Sequence, residues 1–288
     1  MIRKWVLYGG LIIIIVFYLA LQLNLISLPN LNKENNQVNS DDDEDEPLNI
    51  EAVVDINEQD EEFSNKDELI LLIMDSTDYF QQIQATVEQY DGETEHTSTI
   101  YYAIDTVNNI SISSTGPENT PMQTVYFNSE KNQKINIDEQ KGTYQIYEIL
   151  YPDEKDLQAA KMLTGNERII RGLTTNKHKA ITGFAFHLVN SELVLFLQEY
   201  EEWEFSESVY NHLPAYKITG TINPSISESN AGTFEMYIHK DTGIVLAFYN
   251  KDNEGNNILT FETKDIQFNE DVDSTVFIID LNEYEKME

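Results

Sequence analysis

The five histidines are the first side chains to test for chemistry: His96, His178, His187, His212 and His239. No two stand three or four residues apart, so no helical face presents a pair to a metal or a nucleophile. The chain has no cysteine. That removes disulfides, thiolate metal sites, a cysteine nucleophile and an acylated lipoprotein cysteine together. There is no G-x-S-x-G, no Gly-rich phosphate loop and no H-E-x-x-H. Paired carboxylates can do acid–base work, but among 51 acidic residues some pairs are inevitable. The stretch Asn250-Lys251-Asp252-Asn253-Glu254-Gly255 begins like a calcium loop. Phe261 stands where the closing glutamate belongs, so the stretch reads as a hairpin turn. No catalytic residue, resident metal or cofactor is expected.

Basic residues are scarce, 18 Lys+Arg in a chain of net charge −33. Phosphate binding needs clustered cations, which argues against nucleic acid and against polybasic docking on anionic lipid. Arg168 and Arg171 stand together, near Lys177 and Lys179. They form a candidate contact for an anionic head group or partner. The competing reading pairs them with nearby surface carboxylates.

The elements around these residues fall into three segments. From Trp5 to Leu21 the chain is uncharged, and the apolar run continues to Leu28. At about 1.5 Å per residue this length crosses a hydrocarbon layer of roughly 30 Å. Neither Tyr18/Ala20 nor Leu25/Ser27 offers a good cleavage site. Residues 1–28 are therefore expected to be a retained signal-anchor. Arg3 and Lys4 keep its start cytoplasmic, and the rest of this single-pass cell-membrane protein lies outside. Residues 29–64 form an acidic linker. The stretch 34–68 holds fifteen acids and one base, too little apolar surface to offset chain entropy, and disorder is expected. The run Asp41–Glu46 has no glycine to shape a cation loop and reads as a solvated spacer.

Residues 65–288 read as one α+β domain. Asn65 and Glu68 suggest a capping box opening a helix through Leu69, Ile70, Leu72, Ile73 and Met74, with a break at Asp75-Ser76-Thr77. Strands are expected at Ile83–Tyr90, Thr97–Ile104, Asn109–Ser113, Gln123–Asn128, Gln133–Asp138 and Thr143–Tyr151. A helix follows at Lys155–Leu163, ended by Gly165. A second runs from about Asn190 to Tyr200, with Val189, Leu193, Phe196, Leu197 and Tyr200 on one side. Further strands are expected at Trp203–Val209, Ala215–Ile222, Gly232–Lys240, Ile244–Asn250, Asn257–Phe268 and Thr275–Asp280. Leu259 and Phe261 share one parity and Ile266 and Phe268 the other, which calls for a bulge near Thr263–Asp265.

Within Gly232–Asn269, Lys240–Gly243 forms a Lys-Asp-Thr-Gly turn and Ile244–Tyr249 an apolar strand. An Asp-x-x-Gly turn follows at Asp252–Gly255, then an Ile-x-Phe-Asn tail at Ile266–Asn269, with Asp273 and Phe277 in the closing segment. This order resembles the outer-membrane lipoprotein carrier (LolA-like) superfamily, in a membrane-anchored form of single-membrane bacteria. The resemblance implies a curved antiparallel half-barrel covered by helices, with an apolar concave face for acyl chains or lipoproteins.

Phe234, Met236, Ile238, Leu246, Phe248, Leu259 and Phe261 are expected to line that face, with Val189, Leu193 and Phe196 covering it. Which parity of Ile244–Tyr249 points inward stays open. The function expected is a non-catalytic binding module for a lipid, acyl chain or lipidated protein. The alternative is a structural or signalling subunit of an envelope complex whose cavity is packed core. An open apolar cleft of roughly 300–1,000 Å³ would favour the first, and dense packing the second.

Overall fold

The computed structural model describes residues 58–116, 121–128, 131–148, 154–170, 187–189, 193–269 and 272–287. The expected anchor at 5–28 and most of the linker lie outside the described residues. Among the described residues no helix is long and apolar enough to cross a membrane.

Twelve strands form one sheet. β1 (Gln82–Asp91), β2 (His96–Asp105), β3 (Ile110–Gly116), β4 (Gln123–Asn128), β5 (Gln133–Asp138) and β6 (Thr143–Glu148) make one antiparallel meander. β7 (Trp203–Tyr210), β8 (Leu213–Ile222), β9 (Gly232–His239), β10 (Val245–Lys251) and β11 (Asn257–Phe268) make a second. β1 pairs with β11 and joins the two, so β6 and β7 stand far apart. β12 (Glu285–Lys286) adds outside β6 in parallel. Eleven of the twelve strands were legible from β-branched and aromatic runs between polar turns. Their boundaries agree to within a few residues. The expected bulge is present: Thr86 faces Asp265 while Val87 faces Thr263, so Lys264 is the extra residue. Both parities then converge on one face.

Among the described residues three helices precede or link the meanders: α1 (Glu58–Met74), α2 (Glu154–Lys161) and α3 (Gly165–Ile170). Leu69, Ile70, Ile73 and Met74 recur at helical spacing on α1 and are buried against the sheet. α1 starts at Glu58, so Asn65 is not its cap and residues 58–64 of the expected linker are its first turns. It ends at Met74, and the expected break is a 3-10 turn at Ser76–Asp78. Gly165 does not end a long helix; it opens α3. A Cβ there would stand 2.9 Å from the Asp67 carbonyl oxygen, so the missing side chain is what lets α3 rest on α1. Gly243 combines φ +70° with a similar approach, its absent Cβ falling 2.0 Å from the Leu72 carbonyl oxygen.

Two expected elements take other forms. The segment expected as a helix at 190–200 has 3-10 turns at Leu193–Leu197 and Tyr200–Glu202. The helical-spacing stripe competes with five apolar residues in a row, and the tighter turn buries Val194 as well as Leu193 and Leu197. Thr275–Asp280 is not a strand. The Asp273 carboxylate accepts from the Thr275 N–H and starts a 3-10 turn at Ser274–Phe277, which drives Phe277 inward.

The sheet buries opposite faces at its two ends. In β8–β11 and β1 the apolar residues face α1; Ile218, Met236, Phe248 and Phe261 stand in register there. In β3–β6 the row Ile112, Tyr126, Ile135 and Ile146 stands on the other face. That face is crossed by the C-terminal strap, residues 272–287. Phe277 and Val272 pack on Ala103, with Tyr101 and Ile110 beside them. Tyr284 donates to Glu139 at 2.7 Å, and Glu285 N–H to the Gly142 carbonyl at 2.8 Å. β2 lies between both covers, with Tyr102 and Ala103 buried on opposite sides.

Candidate functional site

The ten residues expected at an apolar cleft gather in one place, the face of β8–β11 turned toward α1. Phe234, Met236, Ile238, Leu246, Phe248 and Phe261 are buried there, as are Val189 and Leu193; Leu259 and Phe196 are half-buried. The parity left open in β10 has a structural answer. A bulge between Val245 and Ala247 disrupts its pairing to β9, and Ile244 through Phe248 are all 0% exposed.

Phe248 is the centre of the packing. Phe196 stacks on it at 5.8 Å and 19°, with Phe261 at 5.8 Å and Phe234 at 6.3 Å. Ile70 and Ile73 of α1, Ile169 of α3, and Leu188, Leu193 and Leu197 complete the same cluster. Leu188 is fixed by its carbonyl, which accepts from the Val245 N–H at 2.9 Å. Phe248, Phe261, Ile70, Ile73, Leu188 and Leu197 are each 1% exposed or less.

Four polar groups are buried in or beside this core. Tyr102 and His187 share a 2.5 Å hydrogen bond, and the His187 ring meets Phe261 edge-on at 5.1 Å. Burial pushes His187 down to about 4 and pushes the Tyr102 phenol up. Lys66 donates to the Tyr200 and Trp203 carbonyls at 2.8 and 2.9 Å and lies over the Trp203 ring. Tyr200 in turn donates to Asp67, and its phenol is raised by burial first and by Asp67 second. Asn250 is fully buried; its amide nitrogen donates to the Asn230 and Thr233 carbonyls, while Oδ1 accepts nothing.

Arg168 is fully buried, and both terminal nitrogens bind Asp75, at 3.0 and 2.8 Å. Of the two expected readings, the carboxylate pair is the one formed, at depth rather than at the surface. Arg171 lies outside the described residues. The fork of Arg168 therefore joins α3 to the end of α1.

The open concavities lie elsewhere. A groove of about 630 Å³ is lined by Asp67, Glu199, Glu201, Glu202 and Asn223. Another, of about 430 Å³, is lined by His96, Thr115, Gln123, Asp138 and Lys141. A third, of about 130 Å³, touches one expected cleft residue, Leu246. Among the described residues no three His, Asp or Glu side chains are placed to hold a metal ion. The Tyr102–His187 pair joins residues 85 positions apart and had no sequence signal. Asn250 was read only as the start of the polar hairpin stretch Asn250–Gly255. Lys66 alone was visible, as the one base of an acidic stretch.

No protein-family model and no curated protein sequence matches the chain. Solved structures do. An uncharacterised conserved protein of Thermus thermophilus aligns at TM-score 0.43 and 10% identity, over 75% of this chain and 96% of that one. MucB aligns at TM-score 0.43 and 12% identity, over 77% of this chain and 65% of its own. The lipoprotein LppX of Mycobacterium tuberculosis aligns at TM-score 0.36 and 11% identity, over 73% and 98%.

Proposed function

We propose that this chain is a non-catalytic, protein-binding subunit held at the outer face of a cell membrane by residues 5–28, with the residues between 28 and α1 as its tether. The observation that carries the reading is the closed core. Phe248 and the residues around it are packed against the chain's own α1, α3 and Leu193–Leu197. An acyl carrier needs that volume for its cargo, whereas a scaffold needs it filled.

Trp203 offers the test, because it is fully buried and Trp5 is the only other tryptophan. In a Trp5→Phe variant of the full chain all indole emission comes from Trp203. Brominated fatty acids quench at contact range, and no saturable quenching is expected. Saturable quenching at micromolar ligand would overturn the packed-core reading. It would favour instead a lipid whose hydroxyl satisfies Asn250 Oδ1, the one buried acceptor that points to that second reading. The membrane placement has its own test. A reporter fused after Glu288 should be active outside the cytoplasm, and recovery of a soluble form starting near residue 21 or 28 would overturn it.

A further inference from the structure

The two edges of the sheet are finished differently. At one, β12 pairs with β6 and the strap closes over it. At the other, β7 pairs with β8 alone among the described residues. Lys66 takes the Trp203 carbonyl at its start. The open stretch is then 204–210, roughly 24 Å of backbone at strand rise. Unpaired N–H and C=O groups along such an edge are a template for another chain.

The side chains say which chain. On one face the edge carries Glu204, Ser206 and Ser208; on the other, Phe205, Glu207 and Val209, the last 66% exposed. Glu201 and Glu202 lead into it beside the acidic groove. Protein edges are commonly guarded by lysine. This one is guarded by carboxylates, on a chain of net charge −33. Glu207 is held by Lys240 at 2.5 Å, which leaves Glu204, among the described residues, as the exposed, unpaired carboxylate of the edge. A second copy pairing in the register centred there would set Glu204 against Glu204 and Glu201 against Glu207, which is destabilising. A cationic strand gains where the second copy loses, and its alternate apolar residues fall beside Phe205 and Val209.

We propose that the open edge of β7 docks a partner protein through an extended segment alternating lysine or arginine with β-branched residues, added as a further strand. This rests on the reading of the chain as a protein-binding subunit.

The test titrates the full chain, in zwitterionic detergent at low salt, with a labelled peptide alternating lysine and valine. Two further peptides carry backbone N-methyl groups on every second residue, in opposite registers. Strand addition uses one edge of the peptide. One N-methylated form should therefore lose about tenfold or more in affinity while the other binds like the parent. Glu204→Lys should weaken the parent about fivefold, and amides of 204–210 should gain exchange protection. Absence of binding, equal binding of all three peptides, or no protection at 204–210 would overturn the proposal. Assembly of the chain into dimers through β7 would also overturn it. Trp203 quenching by brominated fatty acid in the same samples reports on the packed core separately. Failed docking without quenching therefore overturns only the edge assignment.

Discussion

On the face turned toward α1, β8–β11 and β3–β6 present opposite chemistry. The first region offers Ile218, Met236, Phe248 and Phe261 in one row. The second offers Ser113, Val125, Asn136 and Gln145 in one row. Phe127 of β4 still joins the core under α1, while Ile112, Tyr126, Ile135 and Ile146 stand on the face crossed by the strap. A half-barrel with an apolar concave face throughout, as the family resemblance implies, needs the same parity in every strand. Here that parity holds for half the width. The covers differ in origin as well: α1 and Leu193–Leu197 lie over one half, and residues 272–287 over the other. The lesson is that, among the described residues, one hydrogen-bonded sheet buries apolar side chains on both of its faces.

The strongest way to break this comparison is Phe248→Glu. At 0% exposure and ringed by three aromatic side chains, the position offers a carboxylate apolar surroundings. The loss should exceed about 4 kcal/mol, enough to unfold a marginal domain. Urea titration followed by circular dichroism measures it. A natively folded variant would mean that Phe248 lines a cavity.

Phe277→Ala acts on the cluster of the opposite face and should cost about 3 kcal/mol, since it empties the contact between strap and Ala103. Hydrogen exchange locates the effect. Amides of β3–β6 should lose protection while those of β8–β11 keep it. Equal loss in both regions would show a single cooperative core.

Acid should probe the seam, through His187. Its folded pKa of about 4 lies below the usual 6.5, so below pH 6.5 the unfolded chain binds the proton first. Stability is complete above that pH, falls as pH drops toward 4, and is flat below. The contribution is about 3 kcal/mol at most. His187→Gln should remove this slope from a series of urea midpoints; an unchanged slope would assign the effect to carboxylates.

Strand positions were legible because turns and alternation are local. Gln123–Asn128, Gln133–Asp138 and Asn257–Phe268 agree residue for residue, and the parity slip between Phe261 and Ile266 announced the bulge. What escaped depends on register across the sheet. Ile135 and Ile137 alternate cleanly with Lys134 and Asn136, but nothing local says whether that side meets α1 or the strap. The openness of β7 escaped for the same reason, since Trp203–Tyr210 reads like any interior strand. The seven strand residues expected to line a cleft and the three expected to cover it meet in one cluster. How closely they pack was not legible, because the packing also draws on Ile70 and Ile73 of α1 and Ile169 of α3, distant in sequence from β8–β11.

The smallest effect sharpens the comparison most. Tyr147 lies in β6 on the same face as Phe248, at the far end of the sheet, and is 40% exposed. It stands opposite Lys134, whose ammonium is 5.8 Å from its ring centroid. Burial holds that ammonium below the usual lysine value, so it gains from any nearby negative charge. Tyr147→Glu sets a carboxylate across from it. The lost ring packing and the new ion pair should offset each other to within about 0.5 kcal/mol. One substitution type on one face would then be ruinous at Phe248 and neutral at Tyr147. A loss of about 2 kcal/mol or more at Tyr147, read from urea midpoints, would mean that the core under α1 extends past Phe127 to β6, and the change of buried face across the sheet would fall.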